Sequence, residues 1–517
     1  FDEVARTQRG SYKSTDYDTW IYDGELTVTY GKLFNDVHQL NAVLGANFRS
    51  SELKTEAFEA VGFPVGDFTR PSFATSFPNG GKPDYTETVT RSNSWYLNMG
   101  YAFDNRYLFD ANIRLDGASV FGSNKRYTET WSVGVAWNIH NENFLKNAEW
   151  MTLLKVRASI GNPGNQNFDA YQSYTTYSFN NWSSNNFGTS LLVDAFGNPD
   201  LKWQKTLDMN VGADIALLRN RFNINFDYYQ KRTDPLLAVI GLPSSVGTKT
   251  IATNIGEQWN TGYSATVKYS PIYRPEEGIN WNLSLNFRHQ KSEYRNIGNS
   301  LSQFNAQNEN TSLVRYYDGG SPTALWAVRS LGIDPANGKE VFLKKDGTYT
   351  YTYETKDEVQ VGDTEPDLEG VIGTTLYYKG FSFSAHLRYS LGGDVFNEAL
   401  YTKVENISEN NLKYNQDKRA LYDRWEKPGQ HARFKGISLT ETTQMSSRFV
   451  QRSNFLKGES FSAGYDFPKE WIEKAGFSAL RLQVNMNDVF RISSVKEERG
   501  IEYPFARMVS ASVSVTF

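Results

Sequence analysis

The sequence predicts an all-β protein whose strands form a transmembrane antiparallel β-barrel. Segment after segment alternates apolar and polar residues with the period of a strand, and long and short connections alternate between these segments. Aromatic residues make up 15% of the chain, which suits the aromatic rows at the edges of a membrane barrel. No apolar run is long enough to cross a bilayer as a helix.

The C-terminal stretch shows the strand pattern most clearly. Serine or threonine alternates there with apolar positions, which are Val509, Ala511, Val513, Val515 and Phe517. Because successive side chains point to opposite faces of a strand, this stretch has one apolar face and one hydroxyl-lined face. A soluble β-sandwich can end on the same pattern, so the strands upstream must decide between the two architectures.

A predicted strand that begins at Tyr107 has polar or charged residues along one whole face. The polar set is Asp110, Asn112, Arg114 and Asp116, and the opposite face holds Phe109, Ala111, Ile113 and Leu115. Four such residues in a row do not suit the core of a sandwich, but they suit a water-filled lumen. We therefore expect the polar set to face the lumen of a barrel.

The next predicted strand carries two tryptophans that frame a short apolar segment. Its apolar positions are Trp131, Val133, Val135 and Trp137. The two tryptophans stand roughly 20 Å apart at about 3.3 Å per residue, close to the roughly 25 Å apolar band of an outer-membrane barrel. We expect these residues to face lipid, with one tryptophan at each rim. The alternative is a pair of core tryptophans in a soluble sandwich.

Long connections at one end of the strands alternate with short turns at the other end. The long ones, expected outside the cell, include Asn162 to Asp200, Tyr294 to Asp367 and Asp394 to Thr443, and Asp104 to Arg106 is one of the short turns. The pattern gives roughly fifteen strands, whereas single-chain bacterial barrels have an even number. Since an open sheet exposes two unpaired edges to lipid, we expect this chain to be part of a larger barrel.

Composition and spacing argue against several other functions. A net charge of −4 argues against nucleic acid as the main partner, and the absence of cysteine, with 5 histidines that form no ligand spacing, argues against zinc. Asp363, Glu365, Asp367 and Glu369 alternate as in a calcium loop, but Leu368 stands where the EF-hand needs glycine, which favours a solvated loop. No matched pair of carboxylates is placed in a pocket, which argues against a glycosidase. We expect no enzyme, no metal site and no cofactor.

Three aromatic residues in the long connections are candidates for ligand contact: Trp182, Tyr316 and Tyr317. Exposed aromatic rings stack on sugar rings or on peptide side chains. Such rings equally pack loops together, and the sequence favours neither interpretation.

Several short motifs stand in order along the chain, at 114–119 (RLDGAS), 154–159 (LKVRAS), 164–166 (GNQ), 198–203 (NPDLKW), 332–339 (GIDPANGK), 422–425 (YDRW), 498–500 (ERG) and 503–507 (YPFAR). Together they resemble the C-terminal part of a SusC/RagA-type TonB-dependent transporter, and the resemblance covers nearly the whole chain. It departs at Gln204, where the family often has glutamate, and at Ser264, where an acidic residue is usual.

The resemblance implies that residues 1–517 are the C-terminal part of a TonB-dependent receptor β-barrel with long extracellular loops. On this basis the chain supplies roughly the last fifteen strands of a 22-stranded barrel. The N-terminal extension, the TonB-box segment and the plug of the family have no counterpart in this sequence. The implied location is the outer membrane of a Gram-negative bacterium.

The resemblance also implies a function, which is active import of oligosaccharides or oligopeptides too large for porins. A SusD-like lipoprotein is expected as a lid on the outer surface, and TonB is expected to act through the missing N-terminal region. Further expected partners are outer-membrane lipid and the barrel insertion machinery, which reads the strand that ends at Phe517 as an assembly signal. Two alternatives stay open: a barrel of this family that is a scaffold in an outer-membrane assembly complex, and a soluble glycan-binding β-protein.

Overall fold

The computed structural model describes residues 8–517 apart from 79–80, 121, 123, 125, 165–173, 186–187, 203, 243–245, 247–249, 310 and 497–506. Within strands it leaves the side chains of 178–185, 188–190, 239 and 250 undescribed. Helices in the described part are short, and none has the length and hydropathy of a membrane span. They are α1 (Ser302–Gln307), α2 (Lys469–Ile472), a π-helix at Leu400–Glu405, and 3-10 turns at Pro71–Phe73, Ile139–Asn141, Pro275–Glu277, Thr355–Asp357, Glu409–Lys413, Lys418–Leu421, Ser447–Phe449 and Glu473–Ala475.

Strands dominate the described residues. In chain order they are β1 (Ser11–Phe34), β2 (His38–Val61), β3 (Asp84–Phe103), β4 (Tyr107–Ala118), β5 (Tyr127–Asn138), β6 (Met151–Asn162), β7 (Thr176–Asn185), β8 (Gly188–Ala195), β9 (Thr206–Leu217), β10 (Phe222–Thr233), β11 (Leu236–Gly241), β12 (Thr250–Ile255), β13 (Glu257–Arg274), β14 (Ile279–Arg295), β15 (Ala324–Ala327), β16 (Arg329–Ile333), β17 (Glu340–Leu343), β18 (Tyr349–Thr350), β19 (Val359–Asp363), β20 (Leu368–Tyr378), β21 (Phe381–Phe396), β22 (Val450–Asp466), β23 (Ala479–Ser493) and β24 (Val509–Thr516).

Fifteen of these strands form one antiparallel sheet in the order β1-β2-β3-β4-β5-β6-β9-β10-β13-β14-β20-β21-β22-β23-β24. Each sheet strand lies beside the next sheet strand along the chain, so no connection crosses the sheet. The remaining strands form small sheets inside the long connections, which are β7-β8, β11-β12, β15-β19 and β16-β17-β18. The all-β, antiparallel architecture that the sequence predicts is confirmed.

Short turns join the sheet strands at one end, here called the turn end, and long connections join them at the opposite loop end. The turns contain residues that tolerate left-handed backbone. Asn35 and Asp36 between β1 and β2 have φ of 48° and 59°, and Lys379 and Gly380 between β20 and β21 have φ of 46° and 90°. Successive positive φ values match the twist of adjacent strands, which is why tight hairpins favour Asn, Asp and Gly.

The register of β4 and β5 sorts their side chains onto two faces of the sheet. Val135 lies opposite Phe109, and Gly134 lies opposite Asp110. One face, which we call the apolar face, carries Trp131, Val133, Val135 and Trp137, and the other, which we call the polar face, carries Asp110, Asn112, Arg114 and Asp116. Among the described residues, no second layer covers the apolar face of these two strands, since Val135 is 51% and Ile113 is 54% exposed.

Two rows of aromatic rings limit the apolar face. Near the turn end, neighbouring rings have centroids 5.0 to 6.3 Å apart, and the row comprises His38, Phe103, Tyr107 and Trp137. Toward the loop end, Phe48 and Trp95 meet edge to face at 5.7 Å. From Trp95 to Phe103, β3 rises by about 26 Å at 3.3 Å per residue. At the strand tilt of roughly 40° in outer-membrane barrels, this length spans about 20 Å across the membrane, close to their roughly 25 Å apolar band.

The first strands continue past this band on the loop side. β1 and β2 contain 24 residues each, whereas β4 and β5 contain 12. Beyond Phe48 the same face of β2 becomes charged, and Lys54 lies opposite Asp18 on β1 and Glu87 on β3. Because charged side chains are costly in hydrocarbon, this part of the sheet projects beyond the apolar band.

The hydrophobic cores of the molecule lie in the long connections, not under the sheet. Residues 296–367, between β14 and β20, pack against residues 397–449, between β21 and β22, and we call the two segments together the cap. Leu325 of the first segment shares a cluster with Met445 of the second, and Phe449 is 0% exposed in another cluster. Although the sequence suggests loops here, the cap is a folded unit with its own core.

Candidate functional site

The polar face carries a hydrogen-bonded network centred on Arg114. Its Nε lies 2.6 Å from Oδ1 of Asp116, and its Nη2 donates to Oγ of Ser94 over 2.8 Å. Ser94 donates to the same Asp116 oxygen over 2.7 Å, because the two residues lie opposite each other on β3 and β4. Asp116 is only 4% exposed, so these contacts compensate a buried carboxylate.

A glycine allows Tyr96 to extend this network across β2. Tyr96 lies opposite Gly45, and a Cβ at that position would collide with the Tyr96 ring. The Tyr96 hydroxyl donates to Oε1 of Glu25 on β1 over 2.6 Å, and the Arg114 guanidinium lies 5.9 Å from the Tyr96 ring centroid. Side chains from three strands, β1, β3 and β4, thus form one polar chain from Glu25 to Asp116 that passes over β2 at Gly45.

These side chains line a cavity of about 750 Å³ on the polar face. Arg49 and Asp23 also line it, with 3.8 Å between Nη1 of the arginine and Oδ2 of the aspartate, and both side chains are about half exposed. Asn47 donates to Asp23 over 2.9 Å. The cavity therefore presents donors, acceptors and charges of both signs to a polar ligand.

A second network on the polar face is centred on Arg157 of β6, which the sequence analysis did not single out. The Arg157 guanidinium lies 2.7 Å from Asp227 on β10 and 3.3 Å from Asp214 on β9. Gly212 of β9 lies between Arg157 and Asp227 in the sheet. A Cβ at this position would lie 2.7 Å from each of them. Asp208 and Asp214 share one face of β9, and Asp227 is the one acidic residue of β10, but only the strand register reveals that Asp214 and Asp227 meet at Arg157.

A buried arginine joins the two segments of the cap. Nη2 of Arg448 lies 3.1 Å from Oε2 of Glu340 in the first segment and 2.9 Å from Oε1 of Glu405 in its own segment. Both carboxylate side chains are 0% exposed, and Ser446 donates to Glu340 over 2.5 Å. Burial acts to lower the pKa of Arg448, but the hydrogen bonds and charges of Glu405 and Glu340 outweigh it and raise that pKa.

Backbone and aromatic contacts reinforce this junction. Val328 and Ser446 form a parallel β-bridge between the two segments. Nε1 of Trp425 donates to the Pro335 carbonyl over 2.9 Å. The Trp425 ring packs on Gly338, which has φ of 74° and where a Cβ would collide with that ring. Gly338 is therefore required both by its backbone conformation and by the close approach of Trp425.

A second buried ion pair lies within the first cap segment. Arg315 and Glu358 are 2.7 Å apart, and their side chains are 2% and 7% exposed. Burial raises the pKa of Glu358 even though Arg315 donates to it, and burial likewise raises the pKa of Tyr353 nearby. This pair is closed to any ligand, so it does not form a binding site.

Comparison with known proteins gives the family. The family model described as TonB dependent receptor-like, beta-barrel, matches residues 3–487. The chain belongs to this family. The TonB-dependent receptor P39 of Formosa agariphila is 25% identical over 95% of this chain and 51% of its own length. The TonB-dependent receptor SusC of Bacteroides thetaiotaomicron is 28% identical over 75% of this chain and 39% of its own length.

The receptor chain spans about half the length of the curated relatives it matches. Among solved structures, the RagAB peptide transporter has the same fold, with a TM-score of 0.85 over 98% of this chain and 56% of that chain, at 21% identity. These matches confirm the SusC/RagA-type resemblance. Members of this type are outer-membrane β-barrels, so the receptor chain is an outer-membrane protein.

Within the receptor chain, the predicted ligand-contact aromatics have different surroundings. Tyr316 packs edge to face on Tyr294 with centroids 6.0 Å apart and joins a buried cluster, so it holds loops together. Tyr317 is 43% exposed and lies 4.7 Å from the Trp326 ring, which leaves part of its surface open. Trp182 lies in β7, and its side chain falls outside the described part of the chain.

The residues predicted to face the lumen and those predicted to face lipid also differ in their surroundings. Arg114 and Asp116 meet directly, whereas Asn112 donates to Ser132 over 3.0 Å. The burial of Asp116 differs from the wet position that the sequence suggests, because β3 supplies Ser94 beside it. At the turn end, Trp137 donates to Glu142 over 3.0 Å, an anchor that the sequence analysis did not single out.

The alternating acidic series contacts protein groups in the receptor. The partners are Thr323 for Asp363, Ser292 for Glu365, Arg452 for Asp367 and Arg288 for Glu369. In the part of the chain that the structure describes, no three His, Asp or Glu side chains converge as a metal site. Burial raises the pKa of Glu365, which lies within the cap.

The terminal strand forms one edge of the sheet. β24 pairs with β23, and its apolar positions are Val509, Ala511, Val513 and Val515. Phe517 follows it with 87% of its surface exposed, and its ring lies 5.4 Å from that of Phe477. The role of these residues as an assembly signal stays a prediction.

Proposed function

We propose that this chain is the barrel portion of an active importer that brings nutrients across the outer membrane with energy from TonB. Membership of the TonB-dependent receptor family supports this, as do relatives named TonB-dependent receptors and a neighbour named a peptide transporter. TonB acts through the N-terminal region of the full-length protein. The observation that carries the proposal is the combination, in one sheet, of an apolar band with a charged network behind it.

In this proposal the apolar face meets lipid and the polar face lines the lumen. The band extends about 26 Å along a strand at 3.3 Å per residue, which at a tilt of roughly 40° spans about 20 Å, close to the roughly 25 Å apolar band of outer-membrane barrels. The Arg114 network on the opposite face is too polar for lipid. Strands of the full-length protein pair with the free edges of β1 and β24 and complete a 22-stranded barrel, roughly seven strands beyond the present sheet.

The loop end faces outward, and the turn end faces the periplasm. The lengths of the connections support this orientation, because barrels keep their long connections outside the cell. The charged extension of β1 to β3 and the folded cap both lie at the loop end. A SusD-like lipoprotein sits over the cap and closes the entrance to the lumen.

The proposed substrates are oligosaccharides or oligopeptides. The cavity beside Arg49 and Arg114 offers hydrogen-bonding groups that suit both classes, and Tyr317 offers a ring to stack on either. The chain works by binding and release, so it requires no catalytic residue and no cofactor.

Assembly requires a further partner, the outer-membrane barrel insertion machinery. In this proposal it reads the terminal strand through Phe517 and the alternating apolar residues before it. Deleting Phe517 from the full-length protein lowers the amount of inserted, heat-modifiable barrel, and replacing it by Tyr restores that amount. An unchanged amount of inserted barrel after the deletion would contradict the role of Phe517 as an assembly signal.

Growth experiments test the proposed importer. Three strains are compared on oligosaccharide mixtures and on oligopeptides as sole carbon source: one with the full-length receptor, one without it, and one whose receptor lacks its TonB-interacting segment. Import predicts growth of the first strain alone on one of the two substrate classes. A scaffold works without TonB, so equal growth of the first and third strains contradicts active import.

A further inference from the structure

A pocket of about 310 Å³ opens on the apolar-face side of the sheet, beyond the aromatic rings at the loop end. Arg91 and Asn93 of β3 line one part of it, and Arg126 and Tyr127 line another part where β5 begins. Asn93 and Arg91 lie two and four residues from Trp95, so their side chains share its face of the sheet. The volume lies within the range of binding sites for small ligands.

The pocket lies at the height of lipid head groups. Along β3, Asn93 and Arg91 stand about 7 and 13 Å beyond Trp95 at 3.3 Å per residue. At a strand tilt of roughly 40°, they lie about 5 and 10 Å above that ring. The head-group layer of a bilayer extends roughly 5–7 Å beyond its hydrocarbon core. The pocket therefore spans the layer directly above the apolar band.

Backbone hydrogen bonds bring the two arginines to the same place. The Arg91 N–H donates to Oγ of Ser119 over 3.0 Å, and the Ser119 N–H donates to the Arg91 carbonyl over 2.8 Å. The N–H of Ala118 donates to the Arg126 carbonyl over 3.2 Å. Ala118 and Ser119, at the end of β4, thus fix the backbone of both arginines.

Both arginines are exposed, and among the described residues neither guanidinium has a carboxylate partner. Acidic residues on the same face of the flanking strands pair elsewhere. On β2, Glu52 lies 2.7 Å from Lys54, and on β5, Glu129 lies 2.8 Å from Lys205. The pocket therefore keeps two positive charges for an anionic ligand.

Two tyrosine rings complete the pocket. Tyr127 is 56% and Tyr174 is 42% exposed. Gly117 lies beside Tyr127, and a Cβ there would collide with the Tyr127 ring. Asn93 also donates to the Tyr127 hydroxyl over 3.4 Å. Exposed rings held in this way offer apolar surface to the face of a sugar ring.

The geometry points to a binding site for the phosphorylated sugar head group of lipid A in the outer leaflet. The guanidinium groups of Arg91 and Arg126 bind phosphate oxygens, which planar guanidinium groups contact bidentately. The tyrosines contact the sugar, and the acyl chains extend past Trp95 along the apolar band. This inference rests on the proposed function, because the proposed orientation places the pocket in the outer leaflet.

Native mass spectrometry tests the inference on the full-length receptor, purified in detergent and mixed with lipid A or with dephosphorylated lipid A. The wild type should retain lipid A in preference to the dephosphorylated form. Combining Arg91→Gln with Arg126→Gln should weaken lipid A binding about tenfold or more, because two charge-assisted contacts are lost. The same variant should show no preference between the two lipids.

The matched control combines Lys54→Gln with Arg295→Gln. It removes two positive charges from the same side of the sheet at the loop end, but these side chains already pair with Glu52 and Glu293. The control should bind lipid A like the wild type. Heat-modifiable migration in electrophoresis verifies that every variant is a folded barrel.

The outcomes separate the inference from the proposed function. If the Arg91 and Arg126 variant retains lipid A like the wild type, or the wild type binds both lipids equally, the head-group site is overturned while the importer stands. If inorganic phosphate displaces lipid A at equal concentration, the pocket takes free phosphate and the inference is also overturned. Arginine-dependent binding of lipid A by a receptor that supports no TonB-dependent growth contradicts the importer and supports the site.

Discussion

The sheet and the cap accommodate charged side chains in opposite ways. On the polar face, Arg114 is 44% exposed and pairs with one carboxylate, Asp116, beside an open cavity. In the cap, Arg448 is 11% exposed and bridges two carboxylates that are fully buried. In the part of the chain that the structure describes, the sheet has no apolar core beneath it, whereas the cap has clusters like those of a soluble domain.

This difference indicates what stabilises each region. In the proposed orientation, backbone pairing across the strands and burial of the apolar face in lipid stabilise the sheet, so its polar face tolerates substitution. Packing and buried ion pairs stabilise the cap, so the loss of one partner there leaves an uncompensated charge. Matched substitutions in the two regions should therefore have very different effects.

The largest effect is expected from Arg448→Met. It leaves Glu340 and Glu405 buried without their shared cation, which costs about 3–5 kcal/mol. Hydrogen exchange in the full-length protein should then rise throughout residues 296–367 and 397–449 and stay low in the sheet. The control is Arg452→Met, which removes an exposed pair with Asp367 and costs about 1 kcal/mol or less. Equal exchange in both variants would mean that the buried pair does not hold the cap.

A charge on the apolar face ranks next. Val135→Arg places a cation between the two aromatic rows and should destabilise the barrel by about 2–4 kcal/mol near the midplane. Unfolding in lipid vesicles measures this cost. Asn112→Arg adds the same side chain to the polar face and should cost about 1 kcal/mol or less, since that face is wet. A similar cost for both arginines would contradict the assignment of the two faces.

The smallest contrast, about 1–3 kcal/mol, is expected between two glycine substitutions in the cap. Gly347→Ala introduces only a left-handed alanine, because no atom lies within 4 Å of the added Cβ, and costs about 1–2 kcal/mol. Gly338→Ala introduces the same backbone strain. Its added Cβ also collides with the Trp425 ring, which adds about 1–3 kcal/mol. Protease resistance of the cap should therefore fall more for Gly338→Ala, and equal resistance would show that Trp425 does not join the two segments.

The two regions also differ in how far the sequence predicts them. The faces of β4 and β5 follow from local alternation, so the separation of Val135 from Arg114 is visible in the sequence. The burial of Asp116 depends on Ser94 from the neighbouring strand, which only register reveals. In the cap, Arg448 and Glu340 are far apart in the chain and follow no period, so nothing local predicts their contact.

Labelling of single cysteines tests most directly the central claim that the turn end, the apolar face and the cap have three different surroundings. Because the chain contains no cysteine, Asn105→Cys, Val135→Cys and Tyr349→Cys each add one reporter to this part of the protein. In intact cells that make the full-length receptor, a membrane-impermeant maleimide should label Tyr349→Cys alone. Asn105→Cys should react only after the outer membrane is opened, and Val135→Cys should react only with a lipid-soluble probe. Labelling of Asn105→Cys in intact cells, with Tyr349→Cys protected, would contradict the account.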